Sequence, residues 1–248
     1  MKKLTSLLVL SGLISVPVMA ADSPHSVSGN MSVTTDYVFR GVSQTQNGPA
    51  LQGGFDYTHA SGFYAGTWGS NVAWVKDGGY KDDNSMEIDL YGGYRGSAGD
   101  IGYDVGLITY IYPGDQNDGA NDPDTTEVYL AASWKTLSAK YSHVVSKRFV
   151  GWGASDDNGN TRGSYYVELN GTYDLGNGWG VLGHIGYQDV KDNDDASYTD
   201  WKIGVTKDVG YGVVTLAYTD SDADKDAYTW DGEKVADGRV FLSFAKTF

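Results

Sequence analysis

Apolar residues recur at every second position along most of the chain, and that period of two predicts β-strands with unlike faces. From Ser28 to Arg40, Met31, Val33, Tyr37 and Phe39 share one parity, and Ser28, Asn30, Ser32, Thr34, Asp36 and Arg40 the other. Leu51, Phe55 and Tyr57 oppose Gln52, Asp56 and Thr58; Met86, Ile88, Leu90 and Tyr94 oppose Glu87, Asp89, Tyr91 and Arg95. The pattern continues through Ile101–Leu107, Val128–Trp134, Tyr165–Leu175 and Trp179–Gln188. It is weaker over Tyr64–Trp74, Leu137–Lys147, Trp201–Lys207 and Gly212–Tyr218. The chain closes on VFLSFAKTF, where Val240, Leu242, Phe244 and Phe248 oppose Ser243, Ala245 and Thr247.

Twelve such segments are predicted, and an even count returns both ends of an antiparallel barrel to one side. The connections alternate in length. Short turns fall at His59–Gly62, Gly96–Asp100, Lys135–Thr136, Gly176–Gly178 and Asp208–Tyr211, and long acidic stretches such as PGDQNDGANDPD and DSDADKDAYTWDGEKVADG lie between them. Short turns on one side and long loops on the other are the habit of outer-membrane barrels. Pro24, Pro49, Pro113 and Pro123 all fall between segments, as residues that cannot donate to a ladder should. Two aromatic girdles are expected: Phe39 and Trp74 at the outer ends, and Tyr57, Tyr103, Trp134 and Trp179 at the inner ends. The fold class is therefore all-β, a transmembrane antiparallel up-and-down barrel of twelve strands.

The first twenty residues break the pattern. Lys2 and Lys3, the apolar run Leu7–Val16 and the Val18-Met19-Ala20 end have the three parts of a secretory signal peptide, which assigns residues 1–20 to a cleaved leader and 21–248 to the barrel. Export and the barrel pattern together place the protein in the bacterial outer membrane, in contact with lipid, lipopolysaccharide and the barrel assembly machinery.

Composition sharpens this reading. The 34 glycines and 19 tyrosines suit a barrel in which only alternate positions are apolar. A formal charge of −14 argues against nucleic acid as a partner, and the absence of cysteine leaves no disulfide framework. Oligomeric state is not legible.

With strands and parity assigned, a family resemblance can be placed. VTTDYVFRGVSQTQNGPALQGGFDY (Val33–Tyr57), GFYAGTWGSNV (Gly62–Val72) and the terminal phenylalanine run resemble the TorF family of proteobacterial porins. The resemblance implies an outer-membrane barrel, with Val240, Leu242, Phe244 and Phe248 as its assembly signal.

Candidate chemistry is sparse. GWGVLG (Gly178–Gly183) matches a dinucleotide fingerprint in letters, but it has no following helix to receive a pyrophosphate. Asp220, Asp222 and Asp224 are spaced like the start of a calcium loop, yet Lys225 takes the place of its glycine. A solvated acidic loop, or one sharing divalent cations with the lipid surface, fits better. No cofactor is expected. The histidines His25, His59, His143 and His184 form no recognisable triad with serine, so no catalytic residues are assigned.

The polar parity defines the candidate pore lining: Asp36, Asp56, Glu87, Asp89, Asp104, Glu127 and Glu168, against Lys140 and Lys202, with Arg40 and Arg95 nearer the strand ends. The sequence admits either a conducting pore or a wall network that fills the interior. The expectation is a porin-like channel for small polar solutes or ions, leaning to cations, with Glu127 and Glu168 as the residues to neutralise. A non-conducting barrel serving adhesion or envelope structure is the alternative, and an outer-membrane hydrolase a third.

Overall fold

The computed structural model describes residues 23–76, 81, 84–154 and 159–248. The expected signal peptide lies outside them. Twelve strands close a barrel: β1 His25–Thr34, β2 Ala50–His59, β3 Phe63–Asn71, β4 Met86–Ala98, β5 Ile101–Ile111, β6 Thr125–Trp134, β7 Leu137–Val144, β8 Tyr165–Gly176, β9 Trp179–Asp189, β10 Tyr198–Asp208, β11 Val213–Ser221 and β12 Arg239–Thr247. Each strand pairs antiparallel with its sequence neighbours, and β12 returns to β1 with Val33 opposite Phe244. Closure matters because in lipid an open edge would leave backbone groups without partners.

The parity read from the sequence is the parity of the wall. Leu51, Phe55, Val105, Leu130, Leu169, Ile185, Ile203 and Leu242 all face outward and are exposed. Phe248 adds a last rung beyond β12: its amide donates to the Gly29 carbonyl, and the Gly29 amide donates to its carbonyl. Its ring lies over Gly29, where a side chain would collide, since a Cβ there would come within 2.6 Å of the ring.

Glycine and tyrosine have one shared explanation on the inner face. Gly66, Gly93 and Gly106 stand directly opposite Tyr91, Tyr64 and Tyr129 on the neighbouring strands. The Tyr91 and Tyr129 rings lie across the space that Gly66 and Gly106 leave, and the Tyr64 hydroxyl reaches over Gly93, so a Cβ on Gly106 would meet the Tyr129 hydroxyl at 2.5 Å. This is a ring laid over a bare backbone, which seals the wall where the glycine offers no packing of its own.

Three expectations change. β1 ends at Thr34, so Tyr37, Phe39 and Arg40 belong to a loop that folds into the barrel. Trp74 is not in a strand; it lies in a short 3-10 turn, buried against Tyr112 and Trp230. Neither Phe39 nor Trp74 is in a lipid girdle: both are drawn inward, to a cluster that offers more apolar contact than the loops' outer surface. The external girdle is formed instead by Tyr141, Tyr165, Tyr187, Trp201 and Tyr218, with Tyr165 ring-to-ring against both Tyr141 and Tyr187. Tyr57, Tyr103, Trp134 and Trp179 are exposed toward the inner strand ends, as expected.

Candidate functional site: the lumen and the hairpin that plugs it

The first external loop, residues 35–49, crosses the lumen. It carries a small hairpin, Val38–Phe39 paired with Val42–Ser43, whose turn is Arg40-Gly41. Both turn residues have positive φ, +47° for Arg40 and +80° for Gly41. Two successive left-handed residues make the tight turn that matches strand twist, and glycine fits the second place without strain. Gly41 is also pressed against Asp200, leaving no room for a side chain.

That turn delivers Arg40 to the opposite wall. Its Nη1 and Nη2 donate to the two Glu127 carboxylate oxygens at 2.9 and 2.7 Å, and Nη1 also donates to Gln188 Oε1 at 2.9 Å. Gln188 is held in that orientation because its Nε2 donates to the Tyr165 and Asp189 carbonyls. The guanidinium lies 4.4 Å from the Tyr166 ring centre, 4.7 Å from Phe39 and 5.6 Å from Phe149. Burial alone would favour loss of its proton, but the Glu127 carboxylate outweighs that and raises the Arg40 pKa above the usual arginine range. Glu127 is fully buried and Arg40 nearly so. Removing one partner of such a pair typically costs ~3–5 kcal/mol, because the other charge stays buried alone.

The base of the hairpin is fixed by Asp36, which accepts from Ser43 Oγ at 2.6 Å and Thr45 Oγ1 at 3.1 Å, and pairs with Arg239 at 3.2 Å. Tyr37 donates to Glu87 at 2.7 Å from one side, and Tyr112 donates to it at 2.6 Å from another. Burial, reinforced by Glu87, pushes the Tyr37 hydroxyl pKa well up, so it serves as a neutral donor. Over the hairpin, Val42 of its second strand and Trp74, Val75, Phe149, Val190, Ala196, Tyr228 and Val235 from other external loops form buried apolar clusters that cover the mouth.

The remaining candidate lining residues lie on the parity opposite the exposed apolar face, in four groups. Asp104 accepts from Tyr64 at 2.5 Å and pairs with Arg95 at 3.8 Å, while Arg95 lies over the Tyr64 ring. Asp56 accepts from Tyr91 at 2.7 Å. Lys140 lies over the Tyr129 ring and opposite Glu168 across the β7–β8 ladder, and Lys202 stands opposite His184. Asp89 is buried beside Glu87, and its Oδ1 meets no hydrogen-bond partner among the described residues.

Three corrections follow for the candidate lining. Asp36 is not a mid-strand wall charge: β1 ends at Thr34, and Ser43, Thr45 and Arg239 hold Asp36 at the base of the hairpin. Arg40 is not a wall residue near a strand end but the key of the plug. Glu127 is not a free selectivity charge, because Arg40 neutralises it. Sequence reading missed Asp200, Arg239 and the partners of His184. His184 Nε2 lies 2.9 Å from Asp200 Oδ1 and 2.9 Å from the Tyr166 hydroxyl, and its Nδ1 is 2.7 Å from Asn170 Oδ1. The Asp200/Lys202 alternation in the weakly patterned β10 was the available signal. Elsewhere, Asp220 accepts from Tyr218, Asp222 from the Thr199 amide and Asp224 from the Asp226 and Ala227 amides. Among the described residues no group of three or more His, Cys, Asp or Glu is gathered to hold a metal ion. Gly178–Gly183 forms a turn and a strand, with no helix after it.

The barrel is shared with solved porins at low identity. The KdgM porin superposes with a TM-score of 0.55 at 7% identity, covering 89% of this chain and 98% of that one. The NanC porin gives 0.51 at 9% identity, covering 90% and 99%. A second KdgM structure, in complex with disordered oligogalacturonate, gives 0.52 at 7% identity, covering 90% and 97%. These likenesses show the fold. No curated protein matches the chain in sequence. The TorF resemblance of Val33–Val72 is not among the matches. The model of the family described as "Bacterial protein of unknown function (Gcw_chp)" matches residues 19–248, and the chain belongs to that family.

Proposed function

We propose that the protein is a porin-like channel of the outer membrane that passes small polar solutes or ions, prefers cations, and is held shut by the hairpin of residues 35–49. The observation that carries this reading is the lumen itself: a barrel wall lined with ionisable side chains, crossed by a hairpin that grips the wall through Arg40 on Glu127 and Tyr37 on Glu87. A purely structural barrel has no need of so many desolvated charges, each of which costs free energy unless it is paired. The carboxylates Asp56, Glu87, Asp89, Asp104, Glu168 and Asp200 outnumber Lys140, Lys202 and Arg95 once Arg40 cancels Glu127 and Arg239 cancels Asp36. Acidic linings favour cations by lowering the local potential. The KdgM porin has been seen with oligogalacturonate, a polyanion; the acidic lumen here suits the opposite charge.

Planar-bilayer recording tests the proposal. The native protein should show rare, small openings whose reversal potential in a salt gradient indicates cation preference. Neutralising Glu168 and Asp56 together should move that potential toward zero, more strongly at low salt, where screening is weaker. An anion-selective pore, or no conductance from the native protein and from Arg40→Ala alike, overturns the reading. The latter result would favour the alternative, a non-conducting barrel with a structural or adhesive role, to which the apolar cap over the mouth lends support.

A further inference from the structure

The place where Arg40 docks is built as a binding site. A bidentate carboxylate, an amide oxygen locked by two hydrogen bonds of its own, and aromatic rings from Tyr166, Phe39 and Phe149 surround one planar cation. Two of these features discriminate among cations. The fork of Glu127 matches the paired N–H groups of a guanidinium and not the single point charge of an ammonium. The ring faces favour a flat, weakly hydrated cation over a strongly hydrated one such as sodium. The polar part of the site is preformed by the wall: Glu127, Tyr166 and Gln188 belong to β6, β8 and β9, which are fixed by their ladders, while Phe39 arrives with the hairpin and Phe149 with the loop between β7 and β8.

A second observation points to a ligand longer than the arginine head group. Asp89, one lumen position from Glu87 on β4, has a buried carboxylate oxygen without a hydrogen-bond partner among the described residues. It stands opposite Tyr110, whose hydroxyl donates to Glu127 Oε2 at 3.4 Å. A buried carboxylate oxygen left without a donor costs free energy, and a second cationic end would relieve that cost.

We propose that Glu127, Gln188 and Tyr166 form a guanidinium-binding site, that Arg40 fills it as a tethered occupant of the closed state, and that the solutes admitted are small organic cations bearing a guanidinium group. The solute assignment rests on the channel reading above; the binding site does not. Free guanidinium compounds would open the pore by competing with Arg40, whose tether gives it a high effective concentration, so wild type should bind them weakly.

The test uses the full-length protein folded in detergent, with methylguanidinium as probe and equilibrium dialysis as readout, and folding checked by heat-modifiable migration. Arg40→Ala should bind methylguanidinium at least tenfold more tightly than wild type, and at least tenfold more tightly than Arg40→Ala/Glu127→Gln. Methylammonium should compete at least tenfold less well. Should Arg40→Ala not fold, Arg40→Gln, too short to reach the site but able to keep the hairpin polar, takes its place with the same expectation. Equal binding by the single variant, the double variant and wild type overturns the site. In bilayers, methylguanidinium added to wild type should raise the open probability at least threefold over equal sodium. Binding without any change in openings would preserve the site and sink the gating and solute assignment; openings unaffected by Glu127→Gln would sink the site alone.

Discussion

At the scale of single residues, each side chain's role is decided by parity first and by its opposite neighbour second. Leu169 and Val105 are 48% and 50% exposed on the lipid face near mid-strand. Arginine at either should destabilise the barrel by ~2–4 kcal/mol, because a charge at that depth loses its water. Arginine at Thr172, on the lumen face of the same strand as Leu169, should cost less. Urea titrations of the folded protein in lipid vesicles check this, and equal costs on both faces would mean that the register is wrong. Parity was legible from the sequence because alternation survives any detail of packing. What it could not supply was the cross-strand neighbour. Gly106 reads from parity as a lumen position open to substitution, yet Tyr129 lies over it and even alanine would collide. Arg40 and Glu127 are far apart in sequence, and nothing local announces that they meet.

At the scale of elements, the closing strand and the plug hairpin follow different rules. β12 is followed by Phe248, which makes two backbone hydrogen bonds to Gly29 and lays its ring over that glycine. Deleting Phe248 removes those bonds together with a lipid-facing ring, so the truncated protein should fail to reach the heat-modifiable folded form; unchanged migration on an unheated gel would show that the last rung is dispensable. The twelve strands and their short turns were readable in advance, since turns and alternation are local signals. The hairpin was not. Its Tyr37/Phe39 pattern continues the parity of β1 and looks like more strand, and the break comes only because Asp36, Ser43, Thr45 and Arg239 satisfy one another inside the lumen.

At the scale of the whole molecule, the charge and the cap pull in opposite directions. The external loops are strongly acidic in composition, yet several of them contribute apolar residues to the buried clusters over the mouth. Trp74 belongs to this cap and is 6% exposed. A variant retaining Trp74 as its only tryptophan should therefore emit at short wavelength and resist quenching by acrylamide in the aqueous phase. Emission typical of a solvated indole would mean that the mouth stands open in the resting protein. Loop composition alone could not reveal the cap, because a few apolar residues among many aspartates read as solvated chain until the loops are brought together.

The flat tyrosines over glycines carry a consequence for pore engineering. Strand number fixes the circumference of a barrel, but here a veneer of rings lies inside that hoop, beside the hairpin, and contributes nothing to the hydrogen-bonded ladder. Thinning that veneer, ring by ring, would widen the passage without altering the hoop that holds it open, which makes this chain a scaffold whose aperture can be graded while its frame stays the same.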